Sequence, residues 1–382
     1  MEKNISEKKV KNNFLFGLLN VLIIFIVFWV TWYLFIDPTG PVKTYPNIAG
    51  AGMFWMIIVI VWFAFNGELY LFRNLKQPVK GIVLVLLTTL IAIAIVWFLN
   101  VVYGSFNPAF SISRPPSNFG AFAGALMVLI GFYMWPVQAV TWQHWPWSDI
   151  GVKQPFIGLI QFFVGFFLMI LGYSFLVFPA LAMWQTADWY AQAAPLFTIP
   201  SIVGRFYMVP LVHLTLANAF ELWPWRLIKN RTVKAIVSFV GILILSQIVF
   251  PLVLGLAKLL MGPTVAAFLT EQGMINLHAA ELGVCILTWI VIWAMLGNWP
   301  TKFKPAVNYL IRLLIGVLLG GMTYLILNRW AAVNMLHEPA MGISGLPSYG
   351  GDPLTSVDWF LTIAFFYLVY FESWGLKKFR KN

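Results

Sequence analysis

Long apolar stretches alternate with short polar ones along nearly the whole chain. Apolar runs interrupted by few charges occur at 14-36, 50-70, 81-103, 119-142, 155-178, 200-222, 235-258, 275-297, 306-328 and 355-374. Each is long enough to cross about 30 Å of hydrocarbon as a helix, the element that satisfies its own backbone hydrogen bonds in lipid. The pattern therefore predicts an all-α integral membrane protein of ten transmembrane helices. The first run follows Lys3, Lys8, Lys9 and Lys11, as the apolar part of a signal peptide would. It is too long for that role and lacks a small-residue cleavage site, so it reads as a retained helix.

A motif recurs at the ends of the even-numbered runs: Glu68-Leu69-Tyr70-Leu71, Gln143-His144-Trp145-Pro146, Glu221-Leu222-Trp223-Pro224, Gly297-Asn298-Trp299-Pro300 and Glu372-Ser373-Trp374-Gly375. The aromatic third positions are 75, 78, 76 and 75 residues apart. Spacing this regular predicts five tandem two-helix hairpins of about 76 residues, at approximately 1-76, 77-151, 152-229, 230-305 and 306-382, within one membrane domain spanning 1-382. With two helices per unit every copy has the same orientation, so any symmetry axis lies along the membrane normal. A closed ring is favoured over an open array, because each hairpin then buries its polar positions against neighbours on both sides.

Composition fits this picture and removes others. Of 382 residues, 61% are hydrophobic and 10% charged, against about 45–50% and about 25% in ordinary globular chains. With a mean hydropathy of +0.84, a soluble enzyme, a disordered chain and a collagen are excluded. The lone Cys285 excludes an internal disulfide. The outer segments, about 179-199 and 329-354, are too short for a soluble domain; the second reads as an irregular surface loop or a lid, with His337 and Glu338 solvated.

The net charge of +11 is mostly a topology signal. With the N-terminus cytoplasmic, 19 of the 24 Lys and Arg residues fall in inner segments and four outside, while Arg205 lies within a helix. This bias predicts both termini on the cytoplasmic side of the plasma (inner) membrane. The charges are spread over short segments, which excludes a nucleic-acid-binding face. Tryptophans such as Trp29, Trp142, Trp223, Trp299 and Trp374 fall at helix ends, where interfacial rings anchor a span.

Candidate chemistry lies in polar groups at membrane depth, which are costly there and functional by default. Helix six carries Arg205, His213, Asn218 and Glu221; helix eight carries His278 and Glu281; Gln138 lies in helix four. Arg205 and Glu281 are expected to pair, and Arg205, His213 and Glu281 to face one cavity. His278 and Glu281, three residues apart, form half of a carboxylate-histidine metal site but lack further ligands. Four histidines exclude a multi-haem protein, and His213 and His278 differ by roughly 13 Å in depth at 1.5 Å per residue, which opposes a shared haem. The motif residues Glu68, Gln143, Glu221 and Glu372 read as helix-end groups needing cationic partners in the turns that follow, or as an interrupted carboxylate ring at a cytoplasmic mouth.

No catalytic constellation emerges, so an enzyme is the least supported class. The sequence predicts a membrane transport protein, a channel or carrier for a small neutral or cationic solute. The alternative is a non-transporting anchor or scaffold for a larger redox or assembly complex. The expected partners are the bilayer, a small solute or ion, and other membrane subunits or further copies of the chain. No cofactor is assigned.

Overall fold

The computed structural model describes residues 2–107, 110–111, 119–177, 197–343, 350–352 and 354–376. Arg114 and most of the outer segment 179-199 lie outside them. Among the described residues the protein is all-helical, with nine helices long and apolar enough to cross a membrane and a shorter apolar helix, Thr355–Tyr370. The last predicted span, 355-374, is shorter than expected: its helix begins at Thr355 as predicted but ends at Tyr370, before a turn from Phe371.

In chain order the principal helices are α1 (Glu2–Thr31), α2 (Asn47–Val61), α3 (Val79–Trp97), α4 (Phe119–Pro136), α5 (Phe156–Gly172), α6 (Ile199–Leu214), α7 (Arg231–Met261), α8 (Ile275–Met295), α9 (Pro305–Ile326) and α10 (Thr355–Phe365). A short helix, Pro263–Glu271, follows α7. Most of the ten continue into a wider π turn, such as Trp62–Asn66 after α2 and Phe366–Tyr370 after α10.

Burial separates the helices into two layers. The spans containing α2, α4, α6 and α8 bury 56 to 89% of their residues, whereas those containing α1, α3, α5, α7 and α9 bury 22 to 33%. Every residue of α10 is buried. The buried helices pack in a cycle: α2 against α4, α4 against α6, α6 against α8, α8 against α10, and α10 back against α2. Each less buried helix packs on the buried helix that precedes it, α3 on α2, α5 on α4, α7 on α6, α9 on α8, and α1 on α10. Their outward faces are apolar at helical spacing, as at Ile82, Leu86, Leu90, Ile93 and Trp97 on α3. An apolar face repeated around the molecule fits hydrocarbon and not water.

Small residues set the closest approaches. A Cβ on Gly320 would lie 2.6 Å from the Ile286 Cα, so α9 sits directly on the backbone of α8. This is the close packing by which membrane helices associate without a hydrophobic drive between them.

The motif turns share a backbone form. Glu68 and Leu69, Gln143 and His144, Glu221 and Leu222, and Glu372 and Ser373 are successive left-handed residues, with φ between 50° and 63°. In these four, the second residue's N–H returns to a carbonyl six positions back: Phe63, Gln138, Leu216 and Tyr367. The left-handed form costs non-glycine residues roughly 1–2 kcal/mol each, offset where helix-end carbonyls gain partners. The fourth turn departs: Gly297 has φ 111° and the Asn298 N–H reaches only to Trp293.

Polar contacts gather the turns at one end of the cycle. Glu68 meets His144 at 3.2 Å, and Lys80 at the start of α3 donates to Glu372 at 2.9 Å. Lys234 of α7 donates to Gln143, Arg312 of α9 to Glu221, and Asn298 to the Asn218 carbonyl. This is the motif end; residues 335–343 and 350–352 lie at the other, the loop end.

Candidate functional site: the interior of the helix cycle

Among the described residues, two cavities lie inside the cycle. The motif-end cavity, about 290 Å³, is bordered by Val61 and Phe65 beside α2, Pro136 and Val140 beside α4, Leu214 and Asn218 beside α6, Val291 of α8 and Phe365 of α10. All five buried helices contribute, which places it on the central axis. The loop-end cavity, about 130 Å³, is bordered by Gly50, Ala51 and Phe54 of α2, Ala125 of α4, Leu277 of α8, and Asp352, Thr355 and Asp358 at the start of α10. Because α4 and α8 are not neighbours in the cycle, residues from both meet only across its interior.

Aromatic side chains cluster beside the loop-end cavity, which Phe54 borders. Phe54, Phe132 and Tyr207, from three adjacent helices, have ring centroids 5.5, 5.9 and 6.2 Å apart in pairs. The Tyr207 hydroxyl donates to Asp358 Oδ2 at 2.9 Å. Asp358 lies in the first turn of α10, where the helix dipole favours a carboxylate.

The loop end supplies further acids. Asp352 caps α10: its Oδ1 accepts from the Leu354 and Thr355 amides at 2.9 and 3.1 Å, and its Oδ2 from the Thr355 hydroxyl at 2.6 Å. Glu338, expected in solvent, is 2% exposed instead. Burial, with the nearby charge of Asp352, raises its pKa well above the ordinary carboxyl value. His337 does reach solvent and pairs with the buried Asp37 at 2.7 Å. Burial pushes the Asp37 pKa up, but the hydrogen bonds from His337 and Thr39 outweigh it and hold the carboxyl below its usual range.

The sequence-derived candidates distribute themselves differently from expectation. Arg205 donates to Gln247 Oε1 at 2.9 Å and lies over the Phe250 ring, so the expected pair with Glu281 does not form. Glu281 of α8 instead accepts from Asn328, just after α9, at 2.7 Å and meets His278 Nδ1 at 3.0 Å. His213 contacts the Thr141 hydroxyl at 2.7 Å, between α4 and α6. Arg205, His213 and Glu281 therefore do not face one cavity, because each is turned toward a neighbouring helix that supplies its hydrogen bond. Asn218 alone of that set borders the motif-end cavity.

Gln138 donates to the Met134 carbonyl at 2.7 Å and joins a buried amide group in which Asn66 donates to Gln161 Oε1 at 2.9 Å. The motif carboxylates are paired. Glu68 meets Arg73 and His144, Glu221 meets Arg226 and Arg312, and Glu372 meets Lys80. Only Arg73 and Arg226 come from the turn that follows; the other partners come from other hairpins. Among the described residues, no three His, Cys, Asp or Glu side chains are grouped to hold a metal.

Sequence reasoning missed Asp358, Asp352 and the three aromatics. An isolated aspartate inside the last apolar run was the available signal for Asp358. Phe54, Phe132 and Tyr207 carried none, since aromatics make up 17% of the chain.

The His278–Glu281–Asn328 contact yields a stability test. Glu281→Leu strands a buried imidazole nitrogen and a buried amide, so it should cost about 2–4 kcal/mol. Glu281→Gln keeps an acceptor for Asn328 and a donor for His278 and should cost less than about 1 kcal/mol. Thermal unfolding of the two variants in nanodiscs measures the difference, and equal losses would refute this account.

Compared with protein-family models, curated proteins and solved structures, the chain matches none.

Proposed function

We propose that the protein is a membrane transport protein, a channel or carrier, that moves a small neutral or cationic solute along the interior of the helix cycle. The observation that carries this reading is the pair of cavities inside the cycle, one toward each end. Two compartments within one ring of helices suit alternating or gated access. Aspartates at the loop-end cavity and the aromatic faces behind it favour a cation over an anion.

The finer architecture belongs to the same proposal. Five tandem hairpins are each read as an outer helix leading outward and an inner helix returning, with the shorter α10 as the tenth span. The motif end is assigned to the cytoplasm with both termini, on the bias of basic residues, in the plasma membrane of the cell. The recurring left-handed turns support the repeat, and the α10–α2 contact supports a pseudo-fivefold ring.

The reading is tested by flux into proteoliposomes across a panel of small neutral solutes and cations. Uptake above that of empty liposomes, for at least one solute, is expected. Flux equal to the empty control throughout would favour the second reading, a non-transporting scaffold, for which the packed rings of Phe54, Phe132 and Tyr207 speak.

A further inference from the structure

The loop-end cavity joins an apolar wall of Gly50, Ala51, Phe54, Ala125 and Leu277 to a polar side with Asn47, Thr355, Asp352 and Asp358. Asp358 is 1% exposed; its Oδ2 accepts from Tyr207, while its Oδ1 is buried with no hydrogen-bond partner. A buried carboxylate oxygen left unpaired is costly, so a donor is expected to meet it. Among the described residues no protein donor reaches Oδ1. Asp352 is occupied by its capping bonds, and Glu338 beyond it is another acid. On α8 the nearest charged group, Glu281, is engaged with His278 and Asn328.

A compact cation with an apolar body matches both the carboxylate and the apolar wall. A magnesium or calcium ion seeks about six or more oxygen ligands, and this cavity offers one free carboxylate oxygen. The remaining border includes Gly50, Ala51, Phe54, Ala125 and Leu277, which solvate hydrocarbon and, at Phe54, a positive charge through the ring face. A cavity of about 150 Å³ admits benzene, so about 130 Å³ accommodates roughly five or six non-hydrogen atoms.

We propose that the loop-end cavity binds a small organic ammonium ion, its N–H donating to Asp358 Oδ1 and its hydrocarbon body lying against Phe54 and the apolar wall. This inference deepens the transport reading and rests on it for one point only, that such ions are the class of solute carried. Binding itself does not depend on transport.

The test uses the full-length protein in nanodiscs with n-butylammonium as the probe, and sodium ions and 1-butanol as controls. Saturable butylammonium binding is expected by equilibrium dialysis, accompanied by a rise in melting temperature that equal sodium or butanol does not produce. Asp358→Asn keeps an acceptor for Tyr207 but loses the charge, and should weaken binding at least about tenfold. Gly50→Leu serves as an independent variant. A Cβ there meets nothing within 4 Å, so the leucine is accommodated in the cavity and should abolish binding without touching Asp358.

Absence of saturable binding, equal binding of sodium, or undiminished affinity in both variants overturns the proposal. Binding without flux of butylammonium or any other solute would remove the transport reading and leave this site standing. Flux of another solute without butylammonium binding would do the reverse.

Discussion

Phe54→Val is expected to raise solute flux in proteoliposomes about tenfold. Phe54 borders the loop-end cavity and makes two ring contacts, with Phe132 at 5.5 Å and Tyr207 at 6.2 Å, which would have to part for the interior to open toward the other cavity. Aromatic pairs contribute about 0.5–1.5 kcal/mol each beyond their burial. Losing two lowers the barrier to opening by about 1–3 kcal/mol, and about 1.4 kcal/mol corresponds to a factor of ten in rate. Valine keeps an apolar, helix-compatible side chain at a buried position, so the fold is retained at some loss of stability. Unchanged flux through a variant with cooperative melting would show that the ring cluster is ordinary core packing.

The second large effect is expected at Arg312. Its guanidinium is buried and donates to the Ala219 carbonyl at 3.2 Å, to Glu221 at 2.7 Å and to the Pro300 carbonyl at 2.8 Å. One side chain on α9 thus ties the ends of α6 and α8 together. Arg312→Met removes all three donors and leaves two carbonyls without them, at a cost of about 3 kcal/mol. Lysine should not restore the loss, because an ammonium cannot reproduce the planar fork.

The same contact has a pH signature. The hydrogen bond from Arg312 draws the Glu221 pKa below the ordinary carboxyl value; partial burial opposes it, and the charges of Arg312 and Arg226 add to it. A depressed carboxyl pKa stabilises the fold fully above the unfolded value, and that stabilisation fades as pH falls through the native value. Melting of the unaltered protein should therefore decline more steeply below about pH 4.5 than melting of Arg312→Met. Parallel acid declines for the two proteins would show that the pair contributes nothing to stability.

Helix positions were legible in the sequence because length and apolarity alone decide whether a segment can span a bilayer. Limits were less so: α7 runs on to Met261 and a separate helix begins at Pro263, with Gly262 at φ 85° between them. Which helices are inner was hidden, since α3 and α2 are both apolar throughout and differ only in what they face. The α10–α2 contact joins residues some three hundred positions apart, beyond the reach of any local pattern.

The candidate site was legible only in kind. Polar residues at membrane depth were correctly singled out as needing partners, yet Arg205 found Gln247 and His213 found Thr141, contacts that secure helix pairs. Asp352 and Asp358 are the acids that border the interior, and for Asp358 the one mark was its isolation between apolar neighbours such as Val357 and Trp359.

The α1–α10 contact bears on biogenesis. Every other outer helix has its inner partner already synthesised when it emerges, whereas α1 leaves the ribosome first and its partner α10 comes last. A nascent chain halted before Thr355 holds α1 unpaired in the bilayer and the sides of α2 and α8 that α10 covers exposed. Insertion of α10 gives α1, α2 and α8 their missing neighbour, so the contacts of the first of these ten helices are completed only when the tenth has been made.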